Sequence, residues 1–185
     1  MRKQVLLAGL ALICVACSKE ETVANNTTPI SANNESTNVP SANLVKNPDR
    51  IFQLSELAKT TIKTPGGDLT LWQMDNEDKR REGMMMLTEG EVKENEGMIF
   101  LFDKPQQGEN YGFWMHNTLI PLDIVYISKD KKVLNVGKGV PKSDAVVKPT
   151  GEYLYVIEVK QGLAPKFGLK PGAKVDISSS LKGLP

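Results

Sequence analysis

Cysteine is almost missing from this chain, because its two cysteines, Cys14 and Cys17, both lie close to the amino terminus. The sequence that follows has no thiol with which to form a disulfide or a thiolate metal site. Histidine is equally scarce, since His116 is the only one. A single histidine excludes a zinc or iron site built from several histidines. We therefore expect a domain that needs no cofactor and is stabilised by its hydrophobic core.

The chain also lacks an excess of charge of either sign, since 23 basic and 22 acidic residues leave a formal net charge of +1. No stripe of lysine and arginine is present, which argues against nucleic acid as a partner. The sequence has no Gly-x-Ser-x-Gly elbow, and Gly137-Lys138-Gly139 is too short to cradle a nucleotide. No recognisable catalytic motif points to an enzyme.

The amino-terminal segment carries the clearest targeting signal. Met1-Arg2-Lys3 precedes a short apolar run that ends at Ala16, and Cys17 follows directly. This pattern is typical of a secretory signal too short to span a membrane, and a cysteine at its end is typical of a bacterial lipoprotein. We expect residues 1–17 to be a signal peptide ending at a lipidated Cys17. Ser18, in place of an aspartate, favours the outer membrane, with the protein facing the periplasm.

Composition divides the rest of the chain into three parts. Residues 18–47 are rich in Asn, Ser and Thr and read as a disordered tether to the membrane. Residues 48–58 predict a short transitional helix, which Asp49 could cap and whose apolar side could dock on the domain or on a partner. Residues 59–181 are long enough to form one domain with its own core.

Within this domain, turn signals alternate with short runs of β-branched and aromatic residues. The pattern predicts a mainly-β single domain, a small barrel or sandwich, with one or two short helices. The helices are expected from Asp75 or Asn76 to Met85 and at Leu163–Phe167. The strands include one at Gly112–His116 and another at Lys174–Ile177.

Several motifs occur in an order that resembles a known family. They are Arg81-Glu82-Gly83-Met84-Met85, Glu96-Gly97-Met98-Ile99-Phe100, the block from Phe113 to Asp123, Tyr155-Val156-Ile157-Glu158-Val159 and Gly168-Leu169-Lys170-Pro171-Gly172. From about Thr60 to Ile177 the chain is similar to the domain of unknown function 192 family. The resemblance implies a compact, mostly-β fold in proteins that often carry export signals, and it implies no established reaction.

Two carboxylates fall in strands whose other residues are apolar. Asp123 begins the run Leu122–Ile127, and Glu158 lies within Tyr153–Lys160. A buried carboxylate needs a cation or several hydrogen-bond donors nearby. One interpretation is that Asp123 and Glu158 act together as a general acid and base. The other, which we favour, is that each pairs with Arg80, Arg81 or backbone amides to hold the fold.

The tryptophan block also permits ligand binding. Tyr111, Phe113 and Trp114 could form a stacking platform, although Phe113 and Trp114 could equally be core residues. The candidate ligand-binding residues are Arg81, Trp114, Asn117, Asp123 and Glu158. A weaker alternative is a copper site at Met115 and His116, because exported proteins use such soft ligands for Cu(I).

The sequence thus predicts a lipid-anchored protein of the cell envelope. We expect a module that binds a small polar ligand or assists another envelope protein. An enzyme using Asp123 and Glu158 is the alternative.

Overall fold

Six strands form one sheet in the order β1-β2-β3-β6-β4-β5. The structure is a computed structural model that describes residues 46–108, 111–177 and 181. The predicted signal peptide, Cys17 and nearly all of the predicted tether lie outside these residues. The strands and helices are β1 Lys59–Thr64, β2 Gly67–Met74, α1 Glu77–Glu82, β3 Glu96–Gln106, β4 Leu122–Ile127, β5 Val133–Gly139, β6 Tyr153–Lys160 and α2 Leu163–Lys166.

This topology confirms the mainly-β prediction with two short helices. The sheet is open rather than closed into a barrel, because β1 and β5 are its edge strands. β2 and β3 are parallel, and the remaining neighbours are antiparallel. A parallel pair requires a crossover, and the segment that contains α1 provides it.

Each face of the sheet is covered by its own hydrophobic cluster. One cluster includes Val125, Ile157 and Leu163 of α2, and we call this side the α2 face. The other includes Met84, Phe100 and Tyr126, and we call it the α1 face. Burial on both sides explains why β4 and β6 are apolar at nearly every position. None of the helices in the described residues is long and apolar enough to cross a membrane.

Helix α1 is shorter than the sequence predicts, because Gly83 ends it before Met85. Asn76 caps its start and accepts a hydrogen bond from the Lys79 amide at 3.0 Å. Gly83 has a φ of +46°, and a Cβ there would lie 3.2 Å from the Phe100 ring. The glycine therefore both ends the helix and lets it approach β3 closely.

Residues 48–58 form turns and not the predicted helix. The Glu82 carboxylate accepts hydrogen bonds from the amides of Ile51 (2.6 Å) and Phe52 (3.0 Å). The buried Arg50 donates to the carbonyls of Gly83 and Met85. These tertiary contacts outweigh local helix propensity.

The folded part also includes Asn47, which the sequence had assigned to the tether. Its side-chain amide donates to the Met86 carbonyl at 2.9 Å and to Glu91 at 3.0 Å. Nearby, Phe52 and Leu54 pack against the cluster on the α1 face. The segment from Asn47 onward is therefore part of the domain's packing.

The predicted strands at Gly112–His116 and Lys174–Ile177 are each reduced to one bridge, Phe113 to Val147 and Lys132 to Lys174. Directly after the first, Asn117 has a φ of +53°, which turns the chain away from an extended path. The segment is a loop that crosses the α1 face.

Asp123 is fully buried on the α2 face, where it holds the start of α2. One carboxylate oxygen accepts hydrogen bonds from the amides of Gly162 (2.9 Å) and Ala164 (3.0 Å). The other lies 2.5 Å from the Lys138 ammonium on β5. These contacts match the structural interpretation of Asp123, with Lys138 in place of the expected arginines.

We predict that Asp123→Asn destabilises the domain by about 2 kcal/mol, because a buried charged acceptor of two backbone amides is lost. Urea unfolding of the variant measures the change. Asp130→Asn, an exposed aspartate on the next turn, is the matched control and should leave stability unchanged. Equal effects of the two substitutions would contradict the structural role of Asp123.

Candidate functional site

Tyr126 helps to hold the segment around Phe113 against the α1 face. The Phe113 amide donates to the Tyr126 hydroxyl at 3.0 Å, and this hydroxyl donates to the Val147 carbonyl. The Phe113 ring packs edge-on against Phe100, with centroids 4.7 Å apart, and against Tyr126 at 5.9 Å. Burial raises the pKa of the Tyr126 hydroxyl, so it stays a neutral hydrogen-bonding group. Phe113 is thereby fixed as part of the packing.

Trp114 follows immediately and is 48% exposed. Its ring stacks on His116, with centroids 5.0 Å apart and an angle of 23° between the planes. The His116 Nδ1 atom lies 2.8 Å from the Asp144 carboxylate, which fixes the imidazole. An exposed tryptophan held in this way is a preformed surface for a planar group.

Trp114 lies on a groove that we call the aromatic groove. Its cavity has a volume of about 300 Å³. The groove is lined by Glu77, Arg80, Arg81, Phe102, Gln106, Tyr111, Gly112, Phe113, Trp114 and Tyr153. Tyr111, at its rim, is also 48% exposed. The groove therefore presents two exposed aromatic rings beside two arginines.

A small recess adjoins the groove and shares Arg80, Arg81, Phe113 and Trp114 with it. Its volume is about 30 Å³, enough to admit a group the size of a water molecule. The rest of its lining consists of Glu82, Gly83, Met84, Met85, Phe100, Thr118 and Glu158. We call it the Glu158 recess, because the buried Glu158 lies on its wall.

Glu158 is 4% exposed and belongs to the α1 face, since β-sheet pairing sets it opposite Ile124 and Met98. None of the hydrogen bonds and ion pairs among the described residues involves its carboxyl group. Burial raises the pKa of Glu158 from 4.5 to about 8. At neutral pH this carboxyl group is therefore mostly protonated and able to donate a hydrogen bond.

The two arginines of the groove differ in their partners. Arg81 lies 2.9 Å from the exposed Glu77 carboxylate. Arg80 donates to the Leu101 carbonyl at 2.8 Å, and its guanidinium lies 4.9 Å from the centroid of the Phe102 ring. Within the part of the chain that the structure describes, no carboxylate forms an ion pair with Arg80.

The structure brings together three of the five predicted ligand-binding residues, namely Arg81, Trp114 and Glu158. Asn117 lies beside Arg81 in a separate, neighbouring cavity, and its carbonyl accepts a hydrogen bond from the Met86 amide at 2.9 Å. Asp123 is on the opposite side of the sheet.

This placement rules out the acid/base pair considered from the sequence. Alternate residues of a strand point to opposite faces, and Asp123 pairs with Val159 while Glu158 pairs with Ile124. Asp123 and Glu158 are therefore separated by the sheet and cannot act on one substrate. From the sequence alone, Arg80 is expected only as an ion-pair partner of a buried carboxylate. Its position next to Arg81 in the same helical turn is the signal that could have identified it as a groove residue.

The residues of the copper alternative lie in different surroundings. Met115 is fully buried and packs against Gly139, whereas His116 is half-exposed beside Asp144. Among residues 46–108, 111–177 and 181, no group of three or more His, Cys, Asp or Glu side chains could hold a metal ion.

Two solved structures are similar to this chain. A protein of unknown function from Novosphingobium aromaticivorans has 31% identity and a TM-score of 0.57, and the match covers 74% of this chain and 94% of that one. A protein of Sinorhizobium meliloti, described as a candidate transcription regulator, has 27% identity and a TM-score of 0.57, with coverage of 65% and 94%. No curated protein matches this chain.

A family model matches residues 59–177, which is more than half of the chain. The family is DUF192, described as "Uncharacterized ACR". The match confirms the resemblance that the motifs from Arg81 to Gly172 indicate. The chain therefore belongs to the domain of unknown function 192 family.

Proposed function

We propose that the domain binds a small polar ligand in the aromatic groove and serves as a binding or accessory module of the cell envelope. The observation that carries this proposal is Glu158, a buried carboxyl group with no partner among the described residues, on the wall of a recess that shares four residues with a ligand-sized groove. The Glu158 oxygens are not among the fully enclosed side-chain atoms that lack a partner in the described residues, so they can be reached from the recess. A polar group in this position needs a hydrogen-bond partner that enters the recess.

The groove has the features of a small-molecule site. Its volume of about 300 Å³ lies at the lower end of the range for such sites, which suits a molecule with one ring. Trp114 offers a flat apolar surface, and the packing of its neighbour Phe113 keeps that surface in place before a ligand arrives. The ligand would stack on Trp114 and place one hydroxyl or carbonyl group in the Glu158 recess.

A thermal-shift screen of the purified protein against sugars and small envelope metabolites tests this proposal. A ligand present at about a hundred times its dissociation constant should add roughly 2.7 kcal/mol of stability. Trp114→Ala and Glu158→Leu should each weaken binding about tenfold or more, since one loses the stacking surface and the other the hydrogen-bonding group of the recess.

Ile51→Ala is the control for these variants, because Ile51 is an exposed apolar residue outside the groove. It should leave binding unchanged. If no compound in the screen stabilises the protein, or if binding survives both groove substitutions, the proposed function is wrong.

The raised pKa of Glu158 also predicts how stability depends on pH. The folded protein retains the proton up to about pH 8, whereas the unfolded chain releases it near 4.5. The stabilisation is complete below pH 4.5 and decreases as the pH rises to about 8, by up to about 1.4 kcal/mol per pH unit.

Urea unfolding over this pH range, in wild type and in Glu158→Gln, measures the effect. The variant cannot ionise at this position, so its stability should fall less steeply than that of the wild type as the pH rises. Parallel curves for the two proteins would show that Glu158 has an ordinary pKa.

For the cellular location, we propose that the chain is exported and anchored to the membrane through lipid on Cys17, in the outer membrane and facing the periplasm. The short apolar segment before Cys17 supports this proposal. Each buried methylene of a lipid chain contributes about 0.8 kcal/mol, so several chains together give a stable anchor.

Replacing the lipidation site tests this location. Cys17→Ala should abolish incorporation of labelled palmitate and release the protein from the membrane fraction. Cys14→Ala is the matched control and should leave both unchanged. Palmitate labelling that persists in Cys17→Ala would contradict the assignment.

A further inference from the structure

The ion pairs around the aromatic groove leave one positive charge, that of Arg80, without a partner among the described residues. Arg81 is paired with Glu77 at 2.9 Å, and Glu82 is paired with the buried Arg50 at 3.2 Å. Arg80 lines both the groove and the Glu158 recess and has no such carboxylate among the described residues. One cation in this groove is therefore without a counter-charge.

The contacts of Arg80 leave most of its donors for a ligand. A guanidinium has five N–H donors, and the described residues accept one hydrogen bond from Arg80, at the Leu101 carbonyl. The Phe102 ring lies against the guanidinium and, with the Leu101 carbonyl, restricts its movement. A planar guanidinium held in this way is suited to bind a carboxylate or phosphate through two hydrogen bonds.

The Glu158 carboxyl group does not repel an anionic ligand. Burial keeps Glu158 mostly protonated at neutral pH, so it adds a hydrogen-bond donor to the site without adding negative charge. A cationic ligand, by contrast, would meet the charge of Arg80, because Glu82, the other carboxylate on the recess wall, is already paired with Arg50.

From these charges and contacts we propose that the ligand of the aromatic groove is an acid with one ring, whose anionic group binds Arg80 while its ring stacks on Trp114 and a hydroxyl group reaches Glu158. This inference rests on the proposed function, since it names the chemical class of the ligand. Sugar acids have all three features.

Sets of compounds that share a ring and carry a neutral, an anionic or a cationic substituent test the inference. Glucose, glucuronate and glucosamine form one set, and benzyl alcohol, benzoate and benzylamine form a second set without hydroxyl groups on the ring. Calorimetric titration of the purified protein at neutral pH measures the affinity for each compound. We expect the acid of at least one set to bind about tenfold more tightly than its neutral and cationic counterparts, and to lose this advantage in high salt.

Arg80→Met removes the charge and keeps a side chain that can pack on Phe102. We expect it to bring the affinity for the acid down to that for the neutral compound. Lys79→Met, which removes an equal charge from the neighbouring position outside the groove, should preserve the preference. Thermal unfolding of both variants shows whether they remain folded.

The outcomes separate the inference from the function on which it rests. If neutral or cationic compounds bind as tightly as the acids, and their binding is lost in Trp114→Ala, the groove binds a ligand but the inference about its charge is wrong. A preference for acids that persists in Arg80→Met would also overturn the inference. If none of the compounds binds, both the inference and the proposed function are contradicted.

Discussion

Burial of the central strand β6 on both faces is the constraint on which the rest of the structure depends. Its side chains fill the cluster of the α2 face on one side and that of the α1 face on the other. A carboxyl group in such a strand loses its water and must find a partner or stay neutral. Asp123 of the adjacent strand finds amides and Lys138, whereas Glu158 finds no partner among the described residues. Asp123 therefore stabilises the fold, whereas Glu158 remains available to a ligand in the recess.

The groove arises where the chain covers the α1 face. Tyr126 holds the loop at Phe113 and at Val147, and so it places Trp114 at the edge of the packed layer. From the other side, Gly83 ends α1 against Phe100 and thereby brings Arg80 and Arg81 to the same edge. An aromatic surface, a cation and a neutral carboxyl group are thus assembled by ordinary core packing.

The buried strands and the mainly-β fold could be predicted from the sequence, because they depend on local patterns. Apolar residues on both faces of Leu122–Ile127 indicate a strand buried on both sides, and the family motifs agree with the mainly-β fold.

Contacts between residues far apart in the sequence could not be predicted. Asp123 meets the amides of Gly162 and Ala164, which are 39 and 41 residues away. Arg50 and Glu82 likewise replace the predicted helix at 48–58 through contacts some 30 residues apart. Strand alternation separates Asp123 from Glu158 only once the register of β4 and β6 is known.

The central claim is that Glu158 is a neutral carboxyl group, without a partner in the domain, beside a groove that binds a ligand. Carbon-13 NMR of the glutamate carboxyl groups tests it most directly, with Glu158→Gln used to assign the signal. The account predicts a titration near pH 8, far above the ordinary 4.5, and a signal that moves when a groove ligand is added. A Glu158 signal that titrates near pH 4.5, and whose chemical shift does not change with any ligand that stabilises the protein, would contradict this claim.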